Sequence, residues 1–136
     1  MNPPFQIAVR EHPARVSLAM LDVQGEIDAV SSPKLEEAAA EAHRHGARYL
    51  LLDLSGVSFM GSAGLRALTV IDEMLRHQSA PAAGGDDPAA AIHSFKSPHL
   101  KLLGPAPAVA RTLKISGFEM VFDIFSDRQV ALDSFA

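Results

Sequence analysis

Between Tyr49 and Leu54 the chain reads YLLLDL, apolar at every position but one. A run that short and that apolar suits a strand buried on both faces, the kind found where helices cover both sides of a mostly parallel sheet. The flanking sequence supplies those helices. Before it, Ser32-Pro33 opens a helical stretch, with Ser32 as a cap and Pro33 at a first-turn position. Glu36 and Glu37 favour the positive end of that helix, Leu35, Ala38, Ala39 and Ala42 recur on one face, and Gly46 marks its stop. After it, a loop at Ser55–Gly61 leads into a second helix over about Ala63–His77. Leu65, Leu68, Ile71 and Leu75 form its inward stripe, and Arg66, Thr69, Glu73 and Arg76 face outward.

The remaining elements follow the same logic. Phe5–Val9 reads as a short strand closed by Glu11-His12-Pro13, and Val16–Gln24 as a stronger one that Gly25 breaks. Leu100–Leu103 is a short apolar strand, and Gly104-Pro105-Ala106-Pro107 its turn. Ala108–Ser116 is a helix with Val109 and Leu113 inward and Gly117 at its end, and Met120–Phe125 is the last strand. Ser126-x-x-Gln129 has the spacing of a capping box for a terminal helix at Asp127–Phe135. The predicted order is β-β-α-β-α-β-α-β-α, an α/β fold. Its sheet is small and mixed, mostly parallel, with about five strands and about four helices. The first two strands are too closely connected to be anything but antiparallel. At 136 residues the chain is expected to be one domain over 1–136, with a flexible loop at 78–98 rich in Ala, Gly, Pro and Asp.

Composition narrows the function. Lys and Arg total 12 against 16 Asp and Glu, a net charge of −4, so no basic excess points to nucleic acid. Cysteine is absent, which removes disulfides, thiolate metal sites and a cysteine nucleophile. No apolar run approaches the roughly 18 residues of a membrane span, and the N-terminus lacks the pattern of a signal peptide. A cytoplasmic protein is expected.

The segment that carries chemistry is Leu52–Leu65, where a buried strand gives way to a helix beginning near Ser62. Ser62 is flanked by Gly61, Ala63 and Gly64, so another macromolecule can approach its backbone closely. Two readings stand. Ser62 is an N-cap and nothing more, or its hydroxyl accepts a phosphate beside the positive end of the helix.

The stretch LDLSGVSFM followed by Gly61-Ser62-Ala63-Gly64-Leu65 resembles the signature of STAS domains, in particular bacterial anti-sigma factor antagonists. Gly25-Glu26-Ile27-Asp28 resembles a second signature of that family, and the element order agrees along essentially the whole chain. The resemblance puts Ser62 on the family's phosphorylated serine. The family's acidic position before it is Gly61 here, and the Ser/Thr after it is Ala63. The resemblance implies partner switching without cofactor or metal. The unmodified domain docks Met60, Gly61, Ser62, Ala63, Gly64 and Leu65, with Asp28 near the rim, onto an anti-sigma factor that is also a serine kinase. This frees a sigma factor for transcription, as in bacterial stress responses. Phosphorylation of Ser62 ends the interaction, and a PP2C-type phosphatase restores it. Asp28 reads equally as a solvated turn residue.

Other functions fit less well. A non-phosphorylated STAS scaffold or ligand-sensing module is the nearest alternative, with Gly61 as the feature favouring it. Gly56-x4-Gly61-Ser62 lacks the lysine of a nucleotide-binding loop. A serine hydrolase using Ser62 would want glycine at position 60, where Met60 stands, and a positioned base, yet His77, His93 and His99 lie in or beside the predicted loop. His43 and His45, two apart on a helix, diverge and are expected to cover its solvated end. Asp86-Asp87 reads as solvated charge. The protein is therefore read as a regulatory binder, not an enzyme.

Overall fold

The computed structural model describes residues 4–13, 17–79 and 96–135. Of the predicted 78–98 loop, residues 80–95 lie outside them. Five strands form one sheet in the order β1-β2-β3-β4-β5. They are β1 (Gln6–Pro13), β2 (Ser17–Ile27), β3 (Tyr49–Met60), β4 (Leu100–Leu103) and β5 (Ile124–Phe125). β1 pairs antiparallel with β2, and every later neighbour is parallel. Among the described residues four helices complete it: α1 (Ser32–Arg44), α2 (Ser62–Ser79), α3 (Pro107–Ile115) and α4 (Arg128–Asp133). Element order and pairing are those expected from the sequence.

The apolar YLLLDL run is the central strand, and its side chains divide between two cores. Leu50, Leu52 and Leu54 face α1, α2 and α3, where Leu35, Ala39, Leu68, Ile71, Leu75, Val109 and Leu113 close the main core. Leu51 faces the other way, with Leu18, Met20 and Leu103, and is covered by Ala131, Leu132 and Phe135 at the C-terminus. Lys101 anchors that cover. Its ammonium donates to Ser134 O at 3.1 Å and Ser134 Oγ at 3.0 Å and sits 4.6 Å from the Phe135 ring centroid. Arg128 adds an ion pair to Asp53 at 3.3 Å.

Several boundaries differ from the sequence reading. β1 runs to Pro13, because its full length pairs with β2, and Gly25 does not end β2. The predicted Ser55–Gly61 loop is, through Met60, the second half of β3. Ser31, not Ser32, precedes α1, and its hydroxyl caps no N–H of that helix. α2 begins at Ser62 and takes in Gln78 and Ser79. The Met120–Phe125 strand shrinks to Ile124–Phe125. Gly117, at φ 81°, turns the chain into a 3₁₀ turn over Phe118–Met120, and the buried Phe122 pins the segment between that turn and β5. Asp127, not Ser126, caps α4, accepting the Val130 N–H at 3.0 Å. His43 is buried rather than solvated, its Nδ1 2.9 Å from Ala47 O.

At the far end of the sheet, β4 is entered through a clasp. Ser97 Oγ hydrogen-bonds the buried Asp72 of α2 and accepts from the N–H groups of His99 and Leu100. Asp72 also pairs with Arg76 at 2.9 Å. His99 stacks on Tyr49 with ring centroids 5.5 Å apart, and its buried Nδ1 has no hydrogen-bond partner among the described residues. Burial holds its pKa below 6.5; Asp72 pulls upward and Arg76 pushes further down. The unfolded chain then binds this proton more readily than the folded one. Stability is therefore complete above 6.5 and falls as pH drops from there through the folded-state pKa. Urea titrations of wild type and His99→Gln between about pH 7 and pH 5 should show the wild type losing more stability over that window. Parallel pH dependences would mean that another group carries the effect.

Candidate functional site

The residues singled out in the sequence lie at the C-terminal end of the parallel strands β2 and β3. Two glycines bring them there. The β2–β3 pairing shifts register between Asp22 and Gln24 and again between Gly25 and Glu26. Gly25 sits at φ 99°, and a Cβ on it would lie 2.9 Å from Phe5 Cα. A Cβ on Gly56 would lie 2.9 Å from Gln24 Cγ. These irregularities let β3 continue past Leu54 and leave Ile27 level with Met60. The Gly61 N–H donates to Ile27 O at 3.1 Å, tying the start of α2 to the end of β2.

After β2 the chain makes a tight turn organised by Asp28. Its Oδ1 accepts the Val30 and Ser31 N–H groups, each at 3.0 Å. Ser31 Oγ donates to Glu26 O at 2.6 Å and accepts the Asp28 N–H at 2.9 Å. These bonds, that of the Ser31 N–H first, hold the Asp28 pKa below its ordinary 3.8. Asp28 thus shapes the turn from within, and what the turn presents outward is Val30, 77% exposed.

Ser62 occupies the first position of α2 and is exposed to solvent. The cap position belongs to Gly61, whose carbonyl accepts the Gly64 N–H at 3.0 Å and the Leu65 N–H at 3.2 Å. The reading of Ser62 as a side-chain cap therefore fails, and its hydroxyl makes no hydrogen bond among the described residues. Ala63 and Leu65 are half-buried, and Leu65 packs against the core. Gly64 is buried, and a Cβ there would lie 2.6 Å from Met60 Cγ and 2.8 Å from Ile27 Cγ2. Met60 is 2% exposed and belongs to the core, so it offers no docking surface, contrary to the sequence reading. Its neighbour Phe59 faces outward instead. Phe59 is 48% exposed, and its ring lies 3.2 Å from where a Gly61 Cβ would be. Sequence reasoning missed Phe59 because it took the segment for a loop; the β-forming run Val57–Met60 was the available signal.

The C-terminal end of these strands therefore carries an exposed hydroxyl at Ser62, with Phe59 exposed at the end of β3 and Val30 exposed on the turn after β2. No described histidine hydrogen-bonds Ser62, and His99 lies at the opposite end of the sheet. Among the described residues no cluster of His, Cys, Asp and Glu could hold a metal, and no helix is long and apolar enough to cross a membrane.

A sequence model of the STAS domain matches residues 6–81, more than half of the chain. The chain belongs to the STAS domain family. It is 40% identical over 58 residues to the anti-sigma-F factor antagonist RsfB of Mycobacterium tuberculosis, 43% of this chain and 48% of that one. It thus spans about half the length of that relative. It is 26% identical over 113 residues to BtrV of Bordetella bronchiseptica, described as a putative anti-sigma factor antagonist, covering 83% of this chain and 82% of the relative. The crystal structure of an anti-sigma factor antagonist from Mycobacterium paratuberculosis has the same fold, with TM-score 0.71 at 23% identity, over 97% and 94% of the two chains. In this STAS domain the matched region runs from β1 to just beyond α2 and contains the whole Ser62 edge.

Proposed function

We propose that this STAS domain is an anti-sigma factor antagonist. It docks the Ser62 edge onto an anti-sigma factor with serine-kinase activity, and phosphorylation at Ser62 releases it. The observation that carries the reading is the Ser62 hydroxyl: exposed, engaged by nothing among the described residues, and set at the start of α2 just after the exposed Phe59. The names of its relatives agree with that role.

The chemistry asks little of this chain. The kinase transfers the γ-phosphoryl group of ATP to Ser62 Oγ; the O–P bond to ADP breaks as the new one forms, and a base on the kinase takes the hydroxyl proton. The product carries about −1.5 to −2 charges where the free hydroxyl stood. A charge sealed into an interface without a partner is costly, so the complex dissociates. A PP2C-type phosphatase hydrolyses the ester and restores the docking form, and the cycle is expected to run in the cytoplasm.

Intact-mass spectrometry after incubation with ATP-Mg and candidate anti-sigma kinases tests this. A gain of one phosphate mapped to Ser62, absent in Ser62→Ala, is the expected result. A stable complex without phosphate would favour the unswitched interaction module that Gly61 in place of an acid suggests. The absence of both phosphate and complex would overturn the antagonist reading.

A further inference from the structure

Arg66 lies four residues after Ser62 on α2, and both side chains are exposed. Residues at that spacing are neighbours on a helix surface, with Cβ atoms about 5–6 Å apart. Arg10, Arg44, Arg48, Arg76 and Arg128 hold a hydrogen-bond or ion-pair partner, whereas Arg111, far from Ser62 in sequence on α3, holds none among the described residues. Arg66 holds none among the described residues. Nor does its own helix offer one. The residues three and four away are Ala63, Thr69, Ser62 and Val70, and the Thr69 hydroxyl donates to Leu65 O. Glu73 is nearly two turns off. On the β2–α1 turn, Asp28 turns Oδ1 to backbone amides and forms no ion pair with Arg66, and Glu26 is half-buried and already engaged. Gly61 has no side chain. A carboxylate there would repel a phosphate on Ser62.

We propose that Arg66 is the built-in counter-ion of a phosphate on Ser62. The inference rests on Ser62 being the modified residue. A phosphoserine offers three acceptor oxygens, and the guanidinium fork meets two of them in parallel. The anion precedes the cation along the helix, the better of the two orders. The unmodified domain then presents a free cation one turn from the docking tip, and the modified domain draws that cation into an intrahelical pair. Phosphorylation changes the edge twice, by the charge it adds and by the charge it withdraws.

The test installs phosphoserine at position 62 by genetic encoding, so that it needs no kinase, in wild type and in Arg66→Gln. ³¹P NMR titration reads the second phosphate pKa, ordinarily about 6. It should be lower in wild type than in Arg66→Gln by roughly 0.15–0.4 of a unit. The Arg66 Nε–H resonance should also shift on phosphorylation of the wild type. Equal pKa values and an unmoved Nε–H signal would overturn the pair. Kinase incubation of the unmodified protein separates the two claims. Modification at Ser62 with identical titrations sinks the counter-ion alone. A lowered pKa with no kinase able to modify Ser62 sinks the switch and leaves the pair standing.

Discussion

Ser62→Glu is expected to weaken binding to the anti-sigma factor by roughly a hundredfold, about 3 kcal/mol, the scale of an uncompensated charge in an interface. Ser62→Ala should bind about as well as wild type and resist release by the kinase and ATP. The contrast has a geometric origin. The Ser62 hydroxyl has no structural duty, since Gly61 supplies the start of α2 through its carbonyl and the turn before α1 is held by Asp28 and Ser31. Neither substitution should disturb the fold, so the difference in affinity is expected to report the docked surface itself. Calorimetry with the purified partner decides it. Unchanged affinity for the glutamate variant would refute the charge switch. A folded alanine variant that fails to bind would make the hydroxyl a direct contact.

Gly64→Val should lower the melting temperature by roughly 5–10 °C, corresponding to about 2 kcal/mol of overpacking. A Cβ at residue 64 falls within 3 Å of Met60 Cγ and Ile27 Cγ2. Both are core side chains, and Ile27 is wholly buried, so neither can swing into solvent. Gly64→Ala meets the same crowding but gains up to about 1 kcal/mol of helix propensity, so its loss should be smaller. Valine adds two methyl groups in the same space and gains less propensity. The two variants therefore separate crowding from backbone entropy in thermal melts followed by circular dichroism. Valine as stable as wild type would show that α2 can pivot away from the strand ends, and the Ser62 edge would then not be firm.

Much of this architecture was legible from local pattern. The YLLLDL run announced a strand buried on both faces, and Leu65, Leu68, Ile71 and Leu75 marked a helix seated on it. Such signals survive because each depends only on residues within one or two turns. Boundaries were less legible where a distant contact set them. β3 continues through Ser55–Met60 because Gly25 and Gly56 let β2 and β3 shift register against each other. A glycine inside a strand reads as a stop unless its partner strand is known. The last strand shortened because Gly117 and the buried Phe122 fix a 3₁₀ turn that alternation alone does not reveal.

The site divides the same way. A serine at the head of the helix after the central strand is legible in the sequence, because strand, glycine and helix signals are contiguous there. Which nearby side chains are exposed depends on contacts between strands far apart in the chain. Met60 went into the core and Phe59 came out, a choice made by register against Ile27 and Glu26. Asp28 turned inward upon its own loop, which left Val30 outside. Arg66 was legible as an outward residue, but its freedom from any described partner was not. Whether a charge is free depends on every acid that the fold brings near it, and chain order does not record that.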